Sequence, residues 1–223
     1  MNMQEIDKIL VVDLDGTLIR TDVLYETFWN CLSNDFLLPL KLIPYIFKGK
    51  ATLKKYLAQK SNLNVENLPY NPDVIKFINN YKNNGYYISL VTASDQLIAN
   101  KISAYLEIFD EEFGSNGIKN LKGKEKADFL VSRYGLKNFT YIADDFSDIH
   151  IWKVSNESIL VNSSRKTLVA IRNSVDSFFE IPSSKYSLIN YFLALRPHHW
   201  TKNILIFVPM LASHQLSYEL FFL

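Results

Sequence analysis

The sequence predicts an α/β fold: a doubly wound parallel sheet with one helical insertion, followed by a chemically distinct C-terminal segment. Three observations carry this. Short aliphatic runs such as KILVVDL at 8–14 lack amphipathic alternation, as expected of strands buried on both faces of a parallel sheet. They alternate with helical patterns of about ten residues, the rhythm of βα units. Straight after the first run the pattern changes to longer, aromatic-rich segments that interrupt this rhythm. At 223 residues the chain can bury one core plus a small accessory unit.

In chain order, Lys8 to Leu14 is the first strand, ended by Asp15 and Gly16. From about Thr21 to Gln59 apolar residues recur at helical intervals, with Pro39 and Pro44 expected as breaks. Asn71, Pro72 and Asp73 open a helix with proline in its first turn, and Gly85 supplies the stop. Tyr86 to Val91 reads as the second strand, Gln96 to Leu106 as a helix and Phe109 to Phe113 as a short extended piece. Lys124 to Tyr134 reads as a helix ended by Gly135, and Phe139 to Ala143 as a further strand. The expected division is a core of 1–18 and 70–182, a helical unit of 19–69, and a C-terminal stub of 183–223.

Lys and Arg number 24 against 23 acidic residues, so no global field recruits nucleic acid, and no nucleic-acid partner is expected. The single cysteine, Cys31, has no internal partner, and Met1 to Lys8 is too polar for a signal peptide. Both point to a reducing compartment, the cytoplasm.

Residues two apart in a strand point the same way, so Asp13 and Asp15 present two carboxylates near one point at the carboxyl end of a strand. That is where open α/β sheets bind ligands. Gly16 allows a sharp turn, and the Thr17 hydroxyl with neighbouring N–H groups can face an anion. The competing reading is a type I′ hairpin at Asp-Gly. A calcium loop fails, because its twelfth position is Leu24. Further along, YYISLVTAS ends a strand on Thr92, Ala93 and Ser94; NLKGKEKADFL offers Lys126, with Lys124 and Lys122 as substitutes; and YIADDFSDI supplies Asp144, Asp145 and Asp148.

Taken in order, these four motifs resemble those of the haloacid-dehalogenase (HAD) superfamily. They are Asp-x-Asp-Gly-Thr at Asp13, Asp15, Gly16 and Thr17, a hydroxyl at Thr92, a lysine at Lys126, and an acidic pair at Asp144 and Asp148. Ala143 stands where the last motif usually has glycine, placing a methyl beside the metal site. The resemblance implies a HAD-like Rossmannoid sheet with a helical C1-type cap at 19–69, and an Mg2+-dependent phosphomonoester hydrolase. Asp13 would be the nucleophile, forming an aspartyl-phosphate, and Asp15 the general acid and base. Mg2+ would be held by Asp13, the Asp15 carbonyl, Asp144 and Asp148. Phosphate would be bound by Gly16, Thr17, Thr92, Ala93 and Lys126. Trp29, Phe28 and Tyr25 are expected to form the core of the cap. The alternative is a non-catalytic module that binds phosphate or magnesium, with Ala143 as its support.

The stub is different in kind: after Glu180 no acidic residue appears until Glu219. Arg196, Pro197, Trp200, Lys202 and Asn203 resemble the opening of UbiA-type polyprenyl transferases, which implies the cytoplasmic front part of a membrane protein. A phosphorylated small molecule or polyprenyl-linked phosphate would then be the substrate, and the membrane surface a partner. The apolar run Ile204 to Ala212 is too short to span a bilayer, which takes about twenty residues. A docking helix of the soluble domain is the competing reading for this segment.

Overall fold

The computed structural model describes residues 8–116, 120–175 and 177–181. The expected C-terminal stub, with its UbiA-like residues, lies outside them. Among the described residues no helix is long and apolar enough to cross a membrane.

Six strands form one sheet in the order β3-β2-β1-β4-β5-β6. They are β1 (Ile9–Val12), β2 (Tyr87–Asp95), β3 (Glu111–Ser115), β4 (Thr140–Ala143), β5 (Glu157–Val161) and β6 (Phe178–Ile181), and every pairing is parallel. β1 therefore has parallel neighbours on both sides, and the hairpin reading of Asp-Gly is excluded. Side chains alternate along β1: Leu10, Val12 and Leu14 join one buried cluster, Ile9 and Val11 the other. Helices α4 (Pro72–Asn83) and α5 (Gln96–Leu106) cover the first face. The second is covered by α6 (Lys124–Tyr134), α7 (Ile149–Trp152) and α8 (Arg165–Arg172). The chain proceeds outward from β1 through β2 and β3, then returns to β4 on its other side. This switch point sets the carboxyl ends of β1 and β4 beside an open crevice.

The insertion between β1 and α4 contains α1 (Val23–Asn34), α2 (Leu38–Phe47) and α3 (Lys50–Lys60). Asp22 caps α1, accepting from Leu24 N at 2.7 Å. Cys31, Leu38, Leu42 and Leu57 make a small buried cluster of their own, while Val23 and Ala58 pack into the main core. The prolines do not break the chain as expected. Pro39 sits in the first turn of α2, where its missing N–H costs nothing, and Pro44 lies inside that helix. Leu40 and Pro44 are both exposed, so water can take the hydrogen bond that the proline ring cannot make. Only Phe28 of the three aromatic residues assigned to the cap interior packs there. Tyr25 and Trp29 are 63% and 62% exposed, because α1 turns that side away from its neighbours.

Candidate active site

Asp13 leaves β1 at the switch point, held by a hydrogen bond from its N–H to the Ile142 carbonyl at 3.0 Å, and is almost fully buried. Asp144 and Asp148 follow β4. One carboxylate oxygen from each of Asp13, Asp144 and Asp148 can be chosen so that all three lie within 4.8 Å of one another. Asp145, between them, is exposed and accepts from the Ser147 hydroxyl at 2.7 Å.

Gly16 is required here twice over. Its φ of +78° suits glycine, and a Cβ built there would fall 2.3 Å from Asp144 Oδ2. The tight turn thus lets the Asp144 carboxylate lie against bare backbone, where Thr17 Oγ1 donates to its Oδ1 at 3.2 Å. Ala143 is fully buried within the second core cluster, so its methyl belongs to the sheet packing.

Lys126 stands in the first turn of α6 and is 2% exposed, whereas Lys122 and Lys124 are exposed. Its Nζ donates to Asp13 Oδ1 at 2.5 Å and to the Tyr141 hydroxyl at 3.0 Å, and that hydroxyl donates to Asp148 Oδ1 at 3.0 Å. Burial alone would lower the Lys126 pKa, but Asp13, Asp148 and Asp15 outweigh it and hold the ammonium above its ordinary range. Tyr141 is therefore a bridge between the lysine and an acidic residue, a role no sequence signal announced in a strand rich in apolar residues.

Asp15 takes a different environment from Asp13. Its carboxylate accepts from Val23 N and from the Ser94 hydroxyl, both at 2.8 Å. Burial, then the Asp22 and Asp13 charges, push its pKa up to about 6. A carboxyl tuned this close to neutrality can both give and take a proton. Thr92, Ala93 and Ser94 lie where the register between β2 and β3 shifts, an irregularity of the kind found beside active sites. Thr92 Oγ1 accepts from Ser94 N at 2.9 Å, leaving its own hydrogen to donate; the cap of α5 is Asp95 instead.

Of these groups Asp13, Asp15, Ala93, Lys126, Asp144 and Asp148 line a cleft of about 360 Å³. Lys54, from α3 of the insertion, reaches into it and donates to the Ala93 carbonyl at 2.8 Å. Burial lowers its pKa, with Asp15 and Asp22 opposing. In the sequence nothing separates Lys54 from Lys50 or Lys55; only the folded insertion selects it.

Three carboxylates, two buried and one half-buried, around the buried Lys126 ammonium leave excess negative charge. Its effect is visible in Asp144, pushed up to about 8 by burial and then by Asp13 and Asp148, and in Asp148, also raised, by burial and then by Asp13. A hard divalent cation that prefers oxygen ligands fits this donor set and would remove the repulsion.

No family model matches the chain. An uncharacterized protein of Sinorhizobium fredii is 34% identical over 202 residues, which are 90% of this chain and 39% of that protein, so the chain spans well under half of its length. Among solved structures, apo phosphoserine phosphatase aligns with 79% of this chain and 95% of its own, at TM-score 0.55 and 16% identity. A HAD-family hydrolase from Salmonella enterica serovar Typhi aligns with 82% and 70%, at TM-score 0.57 and 12% identity. At such identities the likeness is one of fold. The chain thus carries the HAD-like α/β Rossmann fold, its acidic cluster at the switch point of the sheet.

Proposed function

We propose that this protein is a magnesium-dependent phosphomonoester hydrolase working through an aspartyl-phosphate on Asp13. The observation that carries the reading is the convergence of Asp13, Asp144 and Asp148 on one point, with the Lys126 ammonium 2.5 Å from Asp13. Asp13, Asp144 and Asp148 would hold Mg2+, together with the Asp15 carbonyl; when bound, the ion offsets the charge between a carboxylate nucleophile and a phosphate. Asp13 attacks phosphorus as the ester P–O bond breaks, and Asp15 gives its proton to the departing alkoxide. Asp15 then takes a proton from water, which attacks the aspartyl-phosphate and frees Asp13. Thr92, the Gly16 and Thr17 backbone and Lys126 hold the phosphoryl oxygens, a term that grows as charge spreads in a loose transition state. The insertion acts as the cap that closes the cleft, with Lys54 its link to the phosphate-binding turn.

The finer reading is a substrate phosphate borne by a polyprenyl-linked group at the cytoplasmic face of a membrane, with the chain the front part of a UbiA-type transferase. Arg196, Pro197, Trp200, Lys202 and Asn203 support it.

The test is phosphate release from a panel of phosphomonoesters, including a polyprenyl-linked one, with and without magnesium. Release should need the ion and fall by about a thousandfold or more in Asp13→Asn. A folded, magnesium-binding chain that releases no phosphate from any ester would sink the hydrolase and favour a phosphate-binding module.

A further inference from the structure

Helix α2 is held by Leu38 and Leu42, one turn apart and both buried in the small cluster of the insertion, and by Tyr45, whose ring stacks on Tyr56 of α3 at 4.1 Å. The rest of its apolar surface faces out. Phe36 is 87% exposed, Phe47 88%, Leu40 65% and Ile46 59%, and Leu37 and Ile43 are exposed as well. A soluble surface ordinarily scatters such residues singly; here they are packed into one short helix and its two ends. Apart from Asp35 at its start, the charge around them is positive. From Phe36 to Val65 the chain has six lysines and no acidic residue. Lys54 enters the cleft, and the other five, Lys41, Lys48, Lys50, Lys55 and Lys60, are exposed. Lys41 pairs with Asp35 at 2.5 Å, and Lys48 stands 6.0 Å from the Tyr45 ring centre.

We propose that α2 is a monotopic membrane-binding element, its Phe36, Leu40, Ile46 and Phe47 face entering an anionic lipid surface while the flanking lysines engage the headgroups. An amphipathic helix binds lipid in proportion to buried apolar area plus attraction of its cations to anionic lipid, and this helix has both parts. Long lysine side chains can lay their methylenes along the apolar edge and keep the ammonium at headgroup level. The charge decides against the other candidate occupants. A second copy bringing the same face across a two-fold axis would set lysine against lysine. The chain's own segment 184–218 carries Lys185, Arg196 and Lys202 and no acidic residue, so it matches the lysines in sign. An anionic headgroup layer complements both the apolar face and its rim. The proposal goes beyond the hydrolase reading and places none of the residues 183–223 in the lipid-binding face.

The test places an environment-sensitive fluorophore on Phe47→Cys in the full chain, labelled in the native state, where Cys31 is buried. Vesicles of phosphatidylcholine alone are compared with an equimolar phosphatidylcholine–phosphatidylglycerol mixture. The expected result is a blue shift and intensity gain on the anionic vesicles, with a Ser132→Cys label on α6 unmoved. Reversing charge in Lys48→Glu/Lys50→Glu should weaken this response about tenfold or more. Because no phosphoester is used, failure here is separate from failure of the hydrolase reading. Sedimentation with vesicles without a change at position 47 would assign lipid binding elsewhere and overturn the proposal. So would a lipid-free shift that grows with protein concentration, which marks a second copy, or one lost on truncation at Ser183, which marks the chain's own segment.

Discussion

The sheet and the helical insertion spend their apolar residues in opposite ways. In the sheet, β1 and β4 are buried at every position, and their side chains feed two clusters that enclose the strands. In the insertion, the separate cluster has four buried members. Eight of the 14 large exposed apolar side chains among the described residues fall between Tyr25 and Phe47, so the segment presents surface rather than core. The contrast teaches where the two tasks of the molecule lie. Burial and the acidic cluster belong to the sheet; the insertion brings Lys54 to the cleft and carries most of the exposed apolar side chains.

The contrast is broken most directly by truncating one side chain in each region. Leu10→Ala, at full burial in β1, should cost about 3–4 kcal/mol of global stability, while Leu42→Ala in α2 should cost about 2 or less, because its small cluster can collapse. Urea unfolding of both variants checks this; equal losses would mean that insertion and sheet unfold as one unit with a shared core.

Gly16→Ala comes next. A methyl colliding with Asp144 at positive φ must displace that carboxylate, so activity should fall about a hundredfold and magnesium affinity should fall with it. Calorimetric titration with magnesium separates this from simple unfolding. Unchanged affinity would remove Asp144 from the ligand set.

Tyr141→Phe keeps the buried ring and removes only the hydroxyl between Lys126 and Asp148. We expect about a tenfold loss in kcat with little change in KM, consistent with a positioning residue. A wild-type kcat would mean that the bridge is packing alone.

The smallest expected effect is a pH dependence of the metal-free protein. A carboxyl whose pKa is raised on folding, as in Asp144, contributes stability that is complete below the ordinary carboxylate range and lost as pH rises towards about 8. A magnesium ion bound by the cluster would favour the ionised carboxyl, offsetting both the burial and the Asp13 and Asp148 charges that raise it. The rise in Tm on adding magnesium should therefore be larger near pH 8 than near pH 5, by a few degrees. Equal rises at both would show that the cluster is not where the ion binds.

Much of the sheet was legible because its signals are local. Helices α5 and α6 occupy the predicted spans: Asp95 caps the start of α5, and Gly123 and Gly135 stand at the two ends of α6. β5, β6, α7 and α8 were not anticipated, because a short apolar run such as ESILV does not by itself distinguish a buried strand from a helical turn. Asp13, Asp15, Lys126, Asp144 and Asp148 could be picked out because their types and their order along the chain resemble the four HAD motifs. The chemistry available to a carboxylate or an ammonium is a property of the residue itself, so the sequence alone sufficed to nominate them. What only the tertiary structure decided is which groups share a space. It set Lys126 against Asp13, brought Lys54 in from a helix nearly forty residues before Ala93, inserted Tyr141 between two charges, and turned Tyr25 and Trp29 outward. Those outcomes depend on the register of β1 against β4 and on which side of each helix finds a neighbour. Neither is written in any local stretch of chain, because contacts between distant segments form only once the sheet has closed.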